Sequence, residues 1–248
     1  MQGKKMIQLN CDMGESFGIW NMGEDELIMP HISMANLACG FHASDSMTMS
    51  KAVELAVKYN VTIGAHPAYQ DLVGFGRRSI PCTNEEITAI TLYQLGALSA
   101  FCKAQNTSVS YIKPHGALYN DMMKDNDIFT SILKAISSFD TDIKLMILST
   151  PNYKKFENIA SSYGIKLIYE VFADRNYNDD GSLVSRTQNN AIIENENEVI
   201  KRVKLLANDG YINSINGTKL FIKADTICVH GDGKNALSFI KGLKKVLN

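Results

Sequence analysis

Short apolar runs alternate with segments of helical periodicity along most of the chain. The apolar runs predict seven strands, at residues 6–9, 34–39, 61–65, 109–112, 143–148, 166–172 and 226–229. Apolar side chains at helical spacing predict helices over residues 47–59, 128–139, 198–208 and 234–247. Thr83 and Glu86 form a capping-box pattern, which predicts the start of a further long helix. This alternation is typical of an α/β protein with a parallel sheet.

Local sequence features refine these elements. Residues 145–148 (LMIL) and 226–229 (TICV) are continuously apolar, as strands covered on both faces are. Thr150 and Pro151 suit the N-cap and first position of a helix that ends near Tyr163. Residues 189–197 are rich in asparagine and predict a loop. Such a sheet either closes into a barrel or stays open and doubly wound.

The polar residues favour the barrel, because they follow nearly every predicted strand. Asp12 and Glu15 follow the first strand, and four of the five histidines lie just past strand ends: His42, His66, His115 and His230. In a barrel all strand ends meet at one face, whereas the outer strands of an open sheet lie far from any shared crevice. We therefore predict an α/β fold, a single-domain parallel β/α barrel of seven strands over residues 1–248.

Composition narrows the class of protein without naming a function. The 248 residues include 45% hydrophobic residues, which is enough for one barrel-sized core. A net charge of −1 gives no broad attraction to nucleic acid or membranes, and neither a membrane span nor a signal peptide is expected. The five cysteines form no CxxC pair, so a reducing cytoplasm is the expected compartment.

Residues 64–78, GAHPAYQDLVGFGRR, combine histidine, aspartate, glycines and two arginines in one predicted loop. Arginine offers paired donors to a carboxylate, and histidine can bind a metal or carry a proton. We predict that His66 is buried near Asp12 and His42. Asp71, Arg77 and Arg78 are predicted to lie further out, where they shape a lid or bind an anion.

Several of these residues also have ordinary structural interpretations. Asp45 suits an N-cap as well as a site, and Lys113 could form a salt bridge to Glu170 or Asp174. Three cysteines near strand ends are expected to be small packing residues before nucleophiles: Cys11, Cys39 and Cys228. Residues 230–234, HGDGK, could bind an anion at a helix start, but no GxxxxGK[ST] phosphate-binding loop occurs.

Six collinear segments resemble the LamB/YcsF family, the A subunits of 5-oxoprolinase. They are LNCDMGESFGIW at 9–20, MANLACGFHASD at 34–45, GAHPAYQDLVGFGRR at 64–78, KPHGALYN at 113–120, EVFADRNYNDDGSLVSR at 170–186 and CVHGD at 228–232. The resemblance spans nearly the whole chain. It implies a seven-stranded barrel related to glycoside hydrolases and deacetylases. It also implies ATP-dependent opening of 5-oxo-L-proline to L-glutamate, with partner subunits B and C.

The resemblance also suggests residues for this chemistry. The candidates for a base or other catalytic group are Asp12, His66, Glu170 and His230. The candidates for substrate binding are Arg77, Arg78, Lys113, His115, Asp174 and Arg175. By analogy with related deacetylases, a divalent metal would be held by Asp12, His42 and His66. Two other functions remain open: a metal-dependent deacetylase or other C–N hydrolase that works alone, and a non-catalytic subunit that holds the substrate.

Overall fold

A computed structural model describes residues 7–229 and 236–247. Its strands are β1 (Gln8–Met13), β2 (Met34–Ala38), β3 (Thr62–His66), β4 (Tyr111–Ile112), β5 (Lys144–Leu148), β6 (Leu167–Phe172), β7 (Tyr211–Asn213), β8 (Lys219–Phe221) and β9 (Thr226–Cys228). All except β7 and β8 are parallel and close into a barrel, in which β9 lies between β6 and β1. The predicted fold class is therefore confirmed.

Helices surround the barrel. They are α1 (Asp25–Ile28), α2 (Ser46–Lys58), α3 (Asn84–Ala104), α4 (Gly116–Lys124), α5 (Asn126–Phe139), α6 (Tyr153–Ser162), α7 (Glu196–Asp209) and α8 (Ala236–Leu247). The predicted capping box opens α3, since Thr83 accepts from Glu86 N and Thr83 N donates to the Glu86 carboxylate. By length and hydropathy alone α3 could span a membrane, but its buried face packs against α5 as one of the barrel's outer helices.

The first strand lies further along the chain than predicted. The apolar run at 6–9 indicated its position, but the strand spans Gln8–Met13. Asn10 and Asp12 alternate with Leu9, Cys11 and Met13, and Asn10 is fully buried. The apolar-run criterion missed this strand because polar side chains occupy part of its buried surface. Asp12 is consequently a strand residue, not a residue of the following loop.

The start of α6 was also predicted wrongly. Asn152, rather than Thr150, is the residue before the helix, and α6 begins at Tyr153. Thr150 and Pro151 form a turn in which the Thr150 carbonyl accepts from Tyr153 N at 3.2 Å. The backbone of Gly181 packs so closely on Pro151 that a Cβ there would lie 2.6 Å from the proline Cδ. The helix therefore begins only after the turn that Thr150 and Pro151 form.

Several smaller elements were not predicted from the sequence pattern. These are the short helix α1, the 3-10 helix Met29–His31 that follows it, the helix α4 directly after Lys113-Pro114-His115, and the antiparallel hairpin of β7 and β8. Helix α4 was missed because it begins at Gly116, a residue with a left-handed backbone (φ 54°) that local propensity does not associate with a helix start.

Candidate active site

A cavity of about 910 Å³ opens at the carboxyl ends of the barrel strands. Its floor is formed by Asp12, Glu15, His66, Lys113 and His115, which come from β1, β3, β4 and the residues that follow them. Its outer wall comes mainly from α4, the turn before α6 and residues 178–188. The barrel thus brings together polar residues that are more than a hundred positions apart in sequence, such as Asp12 and Lys113.

Lys113 is the centre of a buried ion cluster at the floor. Its Nζ lies 2.8 Å from Asp12 Oδ1 and 2.9 Å from Glu170 Oε1, so the predicted salt bridge to Glu170 is confirmed. Burial is the largest single effect and acts to lower the pKa of Lys113, but the neighbouring Asp12, Cys228 and Glu170 together outweigh it and raise the pKa well above its usual range. Tyr119 donates to Glu170 Oε2 at 2.8 Å. Lys113 is therefore a permanent cation held between two carboxylates.

A chain of buried amides and hydroxyls supports Asp12 from below. Asn36 Nδ2 donates to Asp12 Oδ1 and to Asn10 Oδ1, each at 2.8 Å. Tyr111 donates to Asn36 Oδ1 at 2.7 Å, and Asn10 donates to Thr226 at 2.9 Å. No role was predicted for these residues from the sequence, although Asn10 and Asn36 interrupt otherwise apolar strands. That interruption was the available signal, because a buried amide needs a partner.

Three histidines and one glutamate form a second cluster beside Asp12. The rings of His42 and His115 are parallel with centroids 3.7 Å apart, and His66 packs edge-on against both. His42 Nε2 lies 3.1 Å from Glu15 Oε1, and His66 Nε2 lies 3.5 Å from Asp12 Oδ1. His66 is 1% exposed, so the prediction that it is buried near Asp12 and His42 is confirmed.

The ligand atoms of this second cluster could hold a metal ion. The nitrogens and carboxylate oxygen offered by Glu15, His42, His66 and His115 all lie within 4.8 Å of one another. The predicted metal set shares His42 and His66 with this cluster but contained Asp12 in place of Glu15 and His115. Asp12 is instead held by Lys113 and Asn36.

Burial keeps two of these imidazoles neutral. Burial, with the neighbouring His66, lowers the pKa of His42 well below its usual value. Burial, with His42 and then His66, likewise lowers the pKa of His115. Neutral imidazole is the form that binds metals, because one ring nitrogen then carries a lone pair.

The two adjacent arginines of the predicted anion site lie in different places. Arg77 lines the cavity, and its guanidinium stacks over Phe75 at 5.0 Å from the ring centroid. Arg78 forms a paired contact with the buried Asp71, and its side chain is 63% exposed outside the cavity wall. The Arg78 guanidinium lowers the pKa of Asp71. The Arg78–Asp71 ion pair therefore stabilises the loop and does not face the mouth.

Two other substrate-binding candidates are largely buried in the wall. Arg175 reaches the cavity, but its guanidinium donates to the carbonyls of Ala191 and Val184. Burial lowers the pKa of Arg175 to about 10. Asp174 is buried, and its carbonyl accepts from Ile193 N. Both residues thus anchor the segment 173–193, which forms the outer rim.

Other candidates have structural roles or lie outside the described residues. His230 and the glycine-rich turn at 230–234 are outside them. Asp45 is the N-cap of α2. Burial raises the pKa of the Cys11, Cys39 and Cys228 thiols. They are therefore neutral packing groups, as the sequence analysis expected first.

The fold and this mouth define a parallel β/α-barrel protein with a buried carboxylate–lysine–histidine site. The chain belongs to the LamB/YcsF family, whose profile matches residues 7–248. The predicted family resemblance is therefore confirmed.

Similar proteins support this assignment over the full length. The chain is 49% identical over 243 residues to the A subunit of 5-oxoprolinase from Vibrio campbellii, covering 98% of this chain and 96% of that protein. It is 51% identical over 244 residues to the protein of the same name from Vibrio vulnificus strain YJ016, covering 98% of each. The crystal structure of the lactam utilization protein from Thermus thermophilus matches with a TM-score of 0.90 and 36% identity, covering 97% of this chain and 95% of that one.

Proposed function

We propose that this chain is the A subunit of a 5-oxoprolinase, which opens the lactam of 5-oxo-L-proline to L-glutamate with ATP and partner subunits B and C. One observation carries the proposal. The chain is about 50% identical, over nearly its full length, to proteins named as the A subunit of 5-oxoprolinase, and its Asp12, Lys113 and His66 lie together on the floor of one cavity.

The chemistry explains why ATP is needed. A lactam is a resonance-stabilised amide, so its carbonyl carbon is a poor target for water. Transfer of the γ-phosphoryl group of ATP to the lactam oxygen gives an imidate phosphate and ADP. Water then adds to the imidate carbon, and the C–N bond breaks as the nitrogen leaves as an amine, which gives γ-glutamyl phosphate. A second water adds to this acyl phosphate and releases phosphate, which leaves the γ-carboxylate of glutamate. The products are glutamate, ADP and phosphate, from one lactam, one ATP and two waters.

Asp12 is best placed to take the proton from the attacking water. It lines the cavity, and Lys113 and Asn36 fix its Oδ1 by hydrogen bonds of 2.8 Å each. Glu170 is fully buried, and its oxygens contact Lys113 and Tyr119, so it positions the lysine. His66 Nε2 lies 3.5 Å from Asp12 Oδ1, so His66 is assigned a role in positioning this carboxylate. His230 stays a candidate from the sequence alone.

The substrate carboxylate needs a cation, and Arg77 is assigned that role because it lines the mouth. The sequence contains no P-loop, so the phosphate contacts for ATP are assigned to other backbone of the mouth or to one of the partner proteins. The reaction is placed in the cytoplasm, in keeping with five free cysteines and a supply of ATP.

Glutamate release by the chain together with subunits B and C tests this function. We expect release only with ATP present, and a loss of at least roughly 100-fold in Asp12→Asn, in line with removal of a general base. Asp121→Asn, a change on α4 at a Tyr69 contact, serves as the matched control and keeps activity. No glutamate from the wild-type mixture under any condition would rule the proposal out.

A metal-dependent C–N hydrolase that works alone is the second candidate, because the Glu15–histidine cluster could hold an ion. It predicts amide or acetamide hydrolysis by the isolated chain, abolished by a chelator and independent of ATP. Full activity in metal-free protein would exclude it. If instead Asp12→Asn and His66→Gln leave the turnover of the complete complex unchanged, the barrel only holds the substrate.

A further inference from the structure

We propose that His66, His115 and Glu15 form a three-ligand site for a zinc-type divalent cation, with one coordination position open to the cavity. The site lies in the mouth to which the proposed function assigns the lactam. Metal binding at this site can be measured without turnover.

The proton positions on the two rings follow from their backbone contacts. His66 Nδ1 lies 2.6 Å from the Lys113 carbonyl, and His115 Nε2 lies 2.9 Å from the Phe75 carbonyl. A carbonyl oxygen only accepts, so each of these nitrogens carries the ring proton. In the neutral rings, His66 Nε2 and His115 Nδ1 therefore carry lone pairs.

These two lone pairs face each other. The distance from His66 Nε2 to His115 Nδ1 is 3.0 Å, with no hydrogen assigned to either atom in the neutral rings. Two lone pairs at this spacing repel unless a cation lies between them. Zinc ligands at about 2.0–2.1 Å in tetrahedral geometry lie about 3.3 Å from one another, which is near the observed separation.

Glu15 supplies the third ligand. Its Oε1 lies 3.7 Å from His115 Nδ1, and His42 Nε2 lies 3.1 Å from the same oxygen. A neutral His42 that donates from Nε2 explains why its buried Nδ1 has no hydrogen-bond partner among residues 7–229 and 236–247. An unused lone pair there costs less than a buried N–H without an acceptor. His42 therefore orients the Glu15 carboxylate.

The orientation of the set leaves one side open. Glu15, His66 and His115 line the cavity, whereas His42 lies behind them among the described residues. Each proposed ligand is fixed by an outer hydrogen bond, to Lys113 O, Phe75 O or His42, which is how metal-binding side chains are usually held. Two histidines and one glutamate with an open position form a recurrent catalytic zinc pattern, in which the bound water loses a proton near neutral pH.

The charge of the floor also suits a bound cation. Asp12 and Glu170 contact the ammonium group of Lys113, and the Glu15 carboxylate lies at the histidines, 3.1 Å from His42 Nε2. A divalent cation in this largely buried space needs a charged ligand, because an isolated charge is costly to bury, and Glu15 supplies that ligand.

Metal uptake by the isolated chain tests this site. The purified protein is stripped with a chelator, and Zn²⁺ or Co²⁺ is added back while binding is followed by calorimetry and elemental analysis. We expect about one equivalent per chain and, with Co²⁺, the visible absorption of a low-symmetry, four- or five-coordinate site. His115→Gln and Glu15→Gln are expected to lose the site, and His42→Asn to bind about 10–100-fold more weakly because it loses an outer contact.

Matched changes keep the test independent of folding. Glu24→Gln and His31→Gln alter a glutamate and a histidine outside the cluster and are expected to bind like the wild type. Circular dichroism of the stripped variants checks the fold. A folded wild-type chain that takes up no metal at micromolar concentrations would overturn the proposal, as would wild-type uptake by both ligand variants. Glutamate release by the full complex is measured in a separate experiment, so the metal site and the proposed function are tested independently.

Discussion

Arg77 and Arg78 are neighbours in sequence but contact different parts of the molecule. Arg77 faces the cavity and stacks on Phe75, whereas Arg78 pairs with the buried Asp71. The sequence analysis treated them as equivalent cations because both sit in one glycine-containing loop. The two side chains point in different directions because the loop is closed: Gly74 N donates to the Asp71 side chain, and Gly76 N donates to the Asp71 carbonyl.

These directions give opposite expectations for the two arginines. Arg77→Gln removes the charged donor that is proposed for the substrate carboxylate, worth about 1.5–3 kcal/mol, so the KM for 5-oxo-L-proline should rise roughly 10- to 150-fold. Arg78→Gln should leave this KM within about twofold and instead lower stability, because Asp71 loses its partner. Steady-state kinetics of the complex, with urea unfolding of the chain, compare the two. An equal rise in KM for both would contradict the assignment.

The sequence predicted that the site residues lie at the carboxyl ends of the strands, but it did not predict which side chains contact one another. Histidines after several strands predicted one shared site, and His42, His66 and His115 do gather there. Glu15 was not separated from Asp12, because the two are only three positions apart and side-chain direction depends on where the strand ends. Since β1 extends to Met13, Asp12 reaches Lys113 while Glu15 turns toward the histidines.

Among the elements, the strand β3 shows how tightly the barrel interior is filled. Gly64 faces the Tyr111 ring of β4, and a Cβ at this position would lie 2.1 Å from the ring. Tyr111 in turn donates to Asn36, which holds Asp12. The absence of a side chain at position 64 thus allows the tyrosine to support the site.

Gly64→Ala should therefore disturb both stability and chemistry. Overpacking a core typically costs about 1–3 kcal/mol, and movement of Tyr111 also releases Asn36. Gly96→Ala is the matched control, since a Cβ in the middle of α3 meets nothing within 4 Å. That control should gain about 0.5–1 kcal/mol. Urea midpoints measure both changes, and a neutral Gly64→Ala variant would show that the interior can expand.

The helix α2 depends on one carboxylate that also holds the preceding loop. Asp45 accepts from Met47 N at 2.8 Å and Thr48 N at 3.0 Å, and also from Gly18 N at 2.7 Å. The hydrogen bonds from Gly18 and Thr48 lower the pKa of Asp45 to about 2. Asp45 therefore connects α2 to the loop after β1, beside the site.

The sign of the pH effect at Asp45 follows from this lowered pKa. A carboxylate with a lower pKa in the folded state contributes stability above its unfolded value of about 3.9, and loses it as the pH falls toward about 2. Asp45→Ala should cost about 0.5–2 kcal/mol at pH 7. The difference from wild type should shrink as the pH is lowered from about 5 to about 3 in urea titrations. A constant difference would mean that the charge of Asp45 contributes nothing.

Across the whole molecule, Lys113 connects strands from opposite sides of the barrel. Its ammonium group contacts Asp12 on β1, Glu170 on β6 and the sulfur of Cys228 on β9. The fold class was predictable because strand–helix alternation and strand-end polarity are periodic along the chain. The hairpin of β7 and β8 and the rim at 173–193 were not, because tertiary contacts shape them.

Lys113→Met tests this cross-barrel contact. The methionine fits the space but leaves two carboxylates buried without their cation, which typically costs about 3–5 kcal/mol. Lys154→Met changes an exposed lysine of α6 and should be nearly neutral. Thermal and urea unfolding compare the two variants. A Lys113→Met protein as stable as the control would mean that water or another cation satisfies Asp12 and Glu170.

The loop 71–78 is attached to the start of α4, and this attachment limits how the mouth can change shape. The Gly76 carbonyl accepts from Ala117 N at 2.9 Å, and a Cβ on Gly116 would lie 2.4 Å from that carbonyl. The Phe75 carbonyl meanwhile holds His115. The loop therefore cannot move outward without displacing His115 on the cavity floor, so it forms a fixed part of the cavity wall. Any widening of the mouth is therefore expected elsewhere along its lining, such as residues 178–188.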